Sequence, residues 1–232
     1  GNWSDATKWT AGIPTSAGDA DNLNFNITAA RTITIDTTSR TVGTLNIGDP
    51  SSSYFVYTLA ANGVANLTFD NGGSGALLAK LATTNTALDV ISAPITLADN
   101  LTIDTEVTGT GNSGNSVQIT GVISESGSRS LTKNGVGGIY LTQPNTYSGG
   151  TILNAGEIQF SSSFALGTGP LTINGGSLAA RTASRTLTNA VTVNGDFICN
   201  SADAGGNALS FSGSIDLGTG RRAFTVAGSR NP

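Results

Sequence analysis

A short phrase that recurs every twenty residues constrains the fold of this chain more than any other feature. The sequence reads TILNAGEIQF at 151–160, LTINGGSLAA at 171–180 and VTVNGDFICN at 191–200, and LTKNG begins one step earlier at 131. An asparagine recurs at the same point of each unit and is followed by glycine or alanine: Asn134, Asn154, Asn174 and Asn194. A constant spacing of this kind is typical of architectures built from stacked repeats.

A unit of this length is too short for a pair of helices, and no segment shows sustained helical periodicity. It suits one coil of a parallel β-helix (a β-solenoid), in which two or three short strands are separated by tight turns. Inward Leu, Ile and Val side chains then stack on the coils above and below, and backbone groups pair with neighbouring coils about 4.8 Å away. The sequence therefore predicts an all-β parallel β-helix with coils of roughly twenty residues. Roughly ten or eleven such coils would give a core about 50 Å long.

The recurring asparagine and glycine have a physical reason in that geometry. Both residues tolerate the positive φ angle of a tight corner, and stacked asparagine side chains can hydrogen-bond to one another along the axis. We therefore expect the four asparagines to lie one above another. The same alignment places Ile158, Leu178 and Ile198 in one inward column, and it places Cys199 over Ala179 as a small packed residue.

Composition agrees with a strand-rich fold. Hydrophobic residues make up 38% of the chain and charged residues 11%, while threonine and other β-branched residues are frequent. Leucine-rich repeats have the same period, but their L-x-x-L-x-L-x-x-N pattern is absent. A β-sandwich of hairpins is the other alternative, but it gives no reason for side chains to repeat at a fixed spacing.

Charge and hydropathy limit the partners of this chain. The net charge of −4 and the isoelectric point near 4.6 give no electrostatic footprint for nucleic acid or anionic lipid. No apolar run reaches the length that crosses a bilayer. We therefore expect no nucleic-acid partner and no membrane insertion of this chain.

The segment at 131–180, LTKNGVGGIYLTQPNTYSGGTILNAGEIQFSSSFALGTGPLTINGGSLAA, closely resembles the autotransporter-associated β-strand repeat of bacterial passenger domains and large surface proteins. Its landmarks are LTKNG (131–135), NTYSGGT (145–151), NAGEIQ (154–159) and ALGTGPLTINGGSL (165–178). The opening stretch GNWSDATKWTAGIPTSAGDADNLNF also looks like the Trp-containing segment that often begins such proteins. The resemblance implies a right-handed parallel β-helix, export, and a role at the cell surface or outside the cell.

The two ends of a solenoid are rows of unpaired strand groups, which terminal repeats normally cover with an atypical cap. We interpret residues 1–30 as such a capping segment, continuous with a single β-solenoid domain at 31–232. Four residues form its apolar cover, although the two tryptophans could instead form a sugar-stacking platform: Trp3, Trp9, Ile13 and Pro14. At the other end the sequence is still strand-like at Phe224 and Val226, with no evident cap, so we expect these two residues to make an end-to-end contact.

The sequence offers little for catalysis. It has no histidine and one cysteine, which excludes Ser-His-Asp and Cys-His arrangements, imidazole metal ligands and a disulfide within the chain. Carboxylates of the kind that serve β-helix polysaccharide hydrolases and lyases occur without a repeated motif: Asp99, Asp104 and Glu106, or Asp196, Asp203 and Asp216 near Arg221. Asp19 and Asp21 are calcium candidates, although an acidic turn also explains them. We expect no enzyme activity and no cofactor.

Three functional classes remain open on this sequence. The first is an exported structural rod or filament subunit that assembles with itself head to tail. The second is an adhesin whose loops or flat Thr/Asn walls bind glycans or cell surfaces. The third is a polysaccharide-active enzyme.

Overall fold

The fold is given by a computed structural model that describes residues 1–8, 12–23, 27–36, 38–49, 55–80, 88–106, 115–201 and 206–227. In this part of the chain a short 3₁₀ helix at Ala6–Lys8 precedes a series of strands, which in chain order are β1 (Ala20–Leu23), β2 (Arg31–Ile35), β3 (Arg40–Val42), β4 (Thr44–Ile47), β5 (Tyr57–Ala61), β6 (Leu67–Phe69), β7 (Ala76–Lys80), β8 (Asp89–Ile91), β9 (Ile95–Leu97), β10 (Leu101–Thr105), β11 (Asn115–Ile119), β12 (Ile123–Glu125), β13 (Leu131–Asn134), β14 (Gly138–Leu141), β15 (Thr151–Leu153), β16 (Glu157–Phe160), β17 (Leu171–Ile173), β18 (Ser177–Ala180), β19 (Arg185–Leu187), β20 (Val191–Val193), β21 (Phe197–Ser201), β22 (Leu209–Phe211), β23 (Ile215–Asp216) and β24 (Phe224–Ala227). None of the described segments is a helix with the length and apolar character needed to span a membrane.

The strands form stacked parallel sheets that wrap one core. The first face has the order β1-β4-β7-β10-β13-β15-β17-β20-β23, and the second has the order β2-β5-β8-β11-β14-β16-β18-β21-β24. The third face is built from β3, β6, β9 and β12 and, further along the axis, from the pair β19 and β22. Every strand pair in the described residues is parallel. The predicted parallel β-helix is confirmed, and hairpin pairing is excluded for these strands.

Coil length varies more than the repeat suggests. The register partners Leu131, Thr151, Leu171 and Val191 follow one another in steps of twenty residues. Elsewhere on the first face the step is longer, for example 33 residues from Thr44 to Leu77. The described residues therefore form nine coils rather than ten or eleven, and the first and last strands lie about 38 Å apart along the axis.

The first coil begins earlier than the sequence predicts. Strand β1 starts at Ala20 and pairs with β4 as the first strand of the first face. The boundary predicted at residue 30 therefore falls inside the first coil. The cause is that this coil uses a short polar strand, ADNL, which lacks the alternation that marks the later strands.

The shortest coils omit the strand of the third face. No strand lies between β14 and β15 or between β16 and β17, and side-chain amides supply hydrogen bonds there instead. Asn145 accepts a hydrogen bond from the Ile123 N–H at 2.8 Å, and its Nδ2 donates to the carbonyl of Ala165 at 2.6 Å. Asn189 Nδ2 donates to the carbonyls of Gly167 and Gly169 at 3.2 and 2.6 Å. These bonds satisfy backbone groups that an unpaired turn would leave buried without partners.

A single hydrophobic core runs inside the coils from Trp3 to Phe197. It arises because strand residues alternate between a buried inward side chain and a half-buried outward one, as in Leu101–Thr105. One inward column of the first face consists of Leu45, Leu78, Ile103, Lys133, Leu153, Ile173 and Val193. Burial of each aliphatic member of such a column contributes about 1.5–3 kcal/mol to stability.

The alignment of Cys199 over Ala179 is wrong by one residue. In the pairing of β18 with β21, Leu178 is opposite Cys199 and Ser177 is opposite Ile198. A slip of one residue moves each side chain to the other face of a strand, so Ile198 points outward and is 40% exposed. The slip arises at the start of β21, where Phe197 is buried and takes the position before the partner of Ser177. Ile198 then pairs with Ser177 in its place. Cys199 is half-buried in the inward column, and burial raises the pKa of its thiol.

Candidate functional sites: the asparagine column and the two ends

The four repeat asparagines form a column at the corner that ends the first face. Asn154 Nδ2 donates to Asn134 Oδ1 at 2.7 Å, Asn174 Nδ2 to Asn154 Oδ1 at 2.6 Å, and Asn194 Nδ2 to Asn174 Oδ1 at 2.9 Å. Because each amide both donates and accepts, the bonds run in one direction along the axis. Asp104 is the register partner of Asn134 and continues the column by one coil.

The corner glycines, and not the asparagines, adopt the positive φ angles. Gly135, Gly156 and Gly176 have φ of 74°, 71° and 80°, whereas Thr182 is the one non-glycine with positive φ in the described residues. The conformational reason given for asparagine from sequence is therefore wrong, although it holds for a glycine one or two residues later in three of the four corners. Asparagine serves the column through its side-chain amide alone.

Replacing Asn154 with alanine should lower the free energy of unfolding by about 1 kcal/mol, because it removes two hydrogen bonds near the surface. The matched variant Asn194→Ala removes only the single bond to Asn174, so about half that loss is expected. Urea unfolding of both variants measures the difference. Equal effects of the two substitutions would contradict a column in which each bond contributes.

The N-terminal end is covered by the first residues of the chain. Asn2 forms a parallel bridge with Thr34, and the Trp3 N–H donates to the Thr34 carbonyl at 2.7 Å, so this segment extends the second face by one rung. The Trp3 ring is fully buried, and its Nε1 donates to the Pro14 carbonyl at 3.4 Å. Ile13 is partly buried and packs against the core, and Pro14 is buried. Trp3 is thus a lid and is inaccessible to a sugar, while Trp9 lies outside the described residues.

Asp19 and Asp21 lie on the first coil and serve local structure. The Asp19 carboxylate accepts hydrogen bonds from the Thr15 and Ser16 N–H groups, both at 2.9 Å, which fixes an acidic turn. Asp21 is a strand residue opposite Leu45 and is nearly fully buried. Within the described residues no group of three or more His, Cys, Asp or Glu side chains is arranged to hold a metal ion.

The C-terminal end leaves apolar side chains and strand edges exposed. Val226 pairs with Cys199 in an inward column of the second face, yet it is 83% exposed because no coil follows it among the described residues. Ile215 and Phe224 are in register with Val191 and Phe197 and are each nearly half exposed. The rings of Phe224 and Phe197 pack edge to face at 4.8 Å. Inward positions of the last coil therefore form an apolar end face, with strands β22, β23 and β24 at its edge.

Three of the carboxylates considered for catalysis accept hydrogen bonds from backbone N–H groups in different turns. Asp99 accepts from the N–H groups of Asn71 and Gly73 at 2.7 and 2.9 Å. The other contacts of this kind are from the Ala223 N–H to Asp196 at 2.8 Å and from the Gly218 N–H to Asp216 at 2.8 Å. Asp104 lies in the asparagine column, Glu106 and Arg221 are exposed, and Asp203 lies outside the described residues. These hydrogen bonds explain the carboxylates as turn residues.

Sequence reasoning missed a polar network on the outer side of the second face. Arg181 stacks over the Tyr140 ring at 4.6 Å and donates to Gln159 Oε1 at 3.1 Å. Gln159 Nε2 donates to Glu157 Oε2 at 3.2 Å, and Asn200 Nδ2 donates to Glu157 Oε1 at 3.3 Å. Polar residues are expected at the outward positions of any strand. Their presence at these positions therefore does not predict that they contact one another. The network links four successive coils and stabilises their stacking.

Sequence reasoning also missed two lysines inside the core. Lys133 is fully buried in the aliphatic column, and its ammonium donates to the carbonyls of Asn134 and Gly135, the latter at 3.0 Å. Burial lowers the pKa of Lys133 to about 8. Lys80 is fully buried as well and forms an ion pair with Asp89 at 2.7 Å. The alternation of β13 could have predicted the burial of Lys133, because this residue occupies the same inward position as Leu153 and Ile173 in the following coils.

Comparisons of the chain with protein-family models, with curated proteins and with solved structures find no match. Kinship between residues 131–180 and the autotransporter-associated repeat is therefore a proposal that depends on the quoted motifs.

Proposed function

We propose that the protein is a non-enzymatic extracellular structural protein, a rigid β-solenoid rod or filament subunit that assembles with itself through its ends. The observation that carries this proposal is the apolar face at the C-terminal end, where Val226 and Phe224 occupy core columns that no later coil covers within the described part of the chain. Export to the cell surface or the medium is part of the proposal and is supported by the resemblance of residues 131–180 to repeats of surface proteins.

Physical chemistry favours a strand edge as the occupant of this end. Among the described residues β22, β23 and β24 are edge strands beside exposed apolar side chains, and another coil stacked at about 4.8 Å would pair with their edges and cover those side chains. A second copy of the chain offers such coils. In a head-to-tail arrangement the end face of one copy meets the N-terminal end of the next, where β1 forms the edge of the first face and the segment of Asn2 and Trp3 forms that of the second.

Substitution of Val226 by aspartate should abolish this assembly, because an ionised carboxylate would be buried in an apolar contact. Sedimentation and electron microscopy at increasing protein concentration measure the effect. We expect fibres with an axial repeat near one subunit length for the unsubstituted protein and separate monomers for Val226→Asp. The control is Val136→Asp, since Val136 is 64% exposed on a bend of a middle coil, away from both ends, and should leave assembly unchanged. A protein that is monomeric at all concentrations would contradict the proposal.

An adhesin is the second candidate, and the outer wall of the first face favours it. Threonines recur there in register at Thr102, Thr132, Thr172 and Thr192, with Ile152 between the second and third, beside the asparagine column. A flat wall of hydroxyl and amide groups suits hydrogen bonding to glycans. Monodisperse monomers that are retained on immobilised glycans would favour this function over the filament. Cleavage of an acidic polysaccharide, lost in Asp216→Asn, would be needed to support an enzyme.

A further inference from the structure

Lys80 and Asp89 meet inside the corner between the first and second faces. Lys80 ends β7 and Asp89 begins β8, and neither side chain has exposed surface. The ammonium nitrogen Nζ lies 2.7 Å from Asp89 Oδ2. The backbone of the preceding coil packs on the lysine stem, since a Cβ at Gly48 would lie 3.6 Å from Lys80 Cε. The two reactive groups are thus held together where bulk water is excluded.

Electrostatics in this corner favour the neutral forms of both groups. Burial lowers the pKa of Lys80 and raises the pKa of Asp89, in each case as the largest cause. The carboxylate of Asp49 is fully buried nearby and raises the pKa of Asp89 further. Because a desolvated ion pair is costly, transfer of a proton from the ammonium to the carboxylate, which gives an amine beside a carboxylic acid, costs less here than in water.

We propose that Lys80 and Asp89 condense to an intramolecular amide, an isopeptide bond that closes the corner covalently. The Nζ lone pair attacks Asp89 Cγ, and the C–Oδ2 bond breaks. Oδ2 leaves as water with the carboxyl proton and one amine proton, and no oxidant or reductant is required. The Tyr57 N–H donates to Oδ1 at 2.7 Å, where negative charge develops in the tetrahedral intermediate. Asp49 acts as a positioning residue in this proposal, since its negative charge raises the pKa of Asp89 and so favours the protonated form.

Proximity makes the condensation feasible without a cofactor. Groups held at reacting distance can reach effective molarities of about 10⁵ M or more. The water released at this site does not return easily, because both partners lie in the core. The bond would link the first and second faces at one corner. Its formation does not depend on whether the protein forms filaments.

Lys133 provides an internal control within the same chain. It is also fully buried, but backbone carbonyls hold its ammonium, and in the described residues no carboxylate lies at ion-pair distance from it. A carbonyl of the backbone offers no leaving water. Lys133 should therefore stay a free amine under conditions in which Lys80 is consumed.

The mass of the purified, denatured protein tests the proposal directly. We expect the chain to be lighter by one water molecule than its sequence. After denaturation trypsin should cleave after Lys133 but fail after Lys80, which leaves residues 41–129 as one peptide that is also one water lighter. A chain of full mass with cleavage after Lys80 would overturn the proposal, and this measurement needs no variant.

Three variants separate a covalent bond from a structural ion pair. Lys80→Arg retains a cation without a condensing amine and should have the mass of its sequence. In chains isolated unfolded and then allowed to fold for the first time, Asp49→Asn should slow the loss of water measured by mass, and Asp49→Glu should restore the rate. A variant Asp49→Asn that condenses as fast as the unsubstituted protein would overturn the positioning role, and condensation in Lys80→Arg would overturn the assignment to Lys80.

Discussion

Replacing Gly195 with alanine should lower the free energy of unfolding by about 2–4 kcal/mol, whereas the same change at Gly175 should cost less than about 1 kcal/mol. The two glycines directly follow the column residues Asn194 and Asn174. A Cβ on Gly195 would overlap the carbonyl oxygen of Asn174 in the coil below, but a Cβ on Gly175 would lie 3.1 Å from the carbonyl oxygen of Asn154. Neither residue has a positive φ, so crowding between coils is the source of the difference.

Urea unfolding followed by circular dichroism measures both variants, and Gly175→Ala is the matched control for intrinsic helix and strand preferences. The natural sequence already tolerates alanine at the equivalent place, since Ala155 follows Asn154. Equal losses at the two positions would contradict the close stacking of the upper coils. A loss confined to Gly195 would mean that coil spacing at this corner is set by the backbone.

The sequence predicts the stacking of the coils better than the length of each coil. Constant spacing of Asn134, Asn154, Asn174 and Asn194 is a direct consequence of stacking, because residues in one column must be one coil apart. Longer coils contain loops of variable length, and a loop carries no periodic signal of where it ends. The step of 33 residues from Thr44 to Leu77 is therefore invisible to an alignment of fixed period.

Register within a coil was predicted less well for a related reason. A gapless alignment pairs residues at a fixed spacing, whereas the structure pairs residues that lie in the same column. The two pairings differ wherever a corner contains one extra residue. Phe197 enters the core at such a corner and moves Ile198 outward. Alternation alone does not reveal the change, since Phe197, Ile198 and Cys199 are all compatible with an inward position.

The buried charges could not be predicted from composition, since lysine is almost never fully buried without a partner. At position 133 the partners are two backbone carbonyls. The corner at the end of β13 brings the carbonyl oxygens of Asn134 and Gly135 to the Lys133 ammonium. At position 80 the partner is Asp89, which approaches only after the chain has turned into the second face. Both sites depend on contacts that form only when the chain folds around a corner of the coil. The spacing of the residues along the sequence therefore does not reveal them.

Lys133→Leu should stabilise the protein below pH 8, and the gain should shrink by about 3 kcal/mol as the pH rises to about 10.5. The substitution completes the aliphatic column of Leu153 and Ile173. The pKa of Lys133 is about 8 in the folded chain, against 10.5 ordinarily, because burial disfavours the ammonium. Below pH 8 the folded state retains the full cost of the buried charge. Between pH 8 and pH 10.5 the unfolded chain with Lys133 binds more protons than the folded chain. The free energy of unfolding of the unsubstituted protein therefore rises with pH in this range.

Urea unfolding of the unsubstituted protein and of Lys133→Leu at pH 7, 8, 9 and 10 isolates this effect, because the titration of every other group is common to both chains and cancels in the difference. The negative charge of Asp104 in the coil below partly offsets the cost of burial and raises the pKa of Lys133. Asp104→Asn should therefore widen the pH range over which the difference changes, by moving its lower limit below pH 8. Parallel pH profiles of the two chains would mean that Lys133 keeps an ordinary pKa, which requires water at a site where the structure has packed side chains.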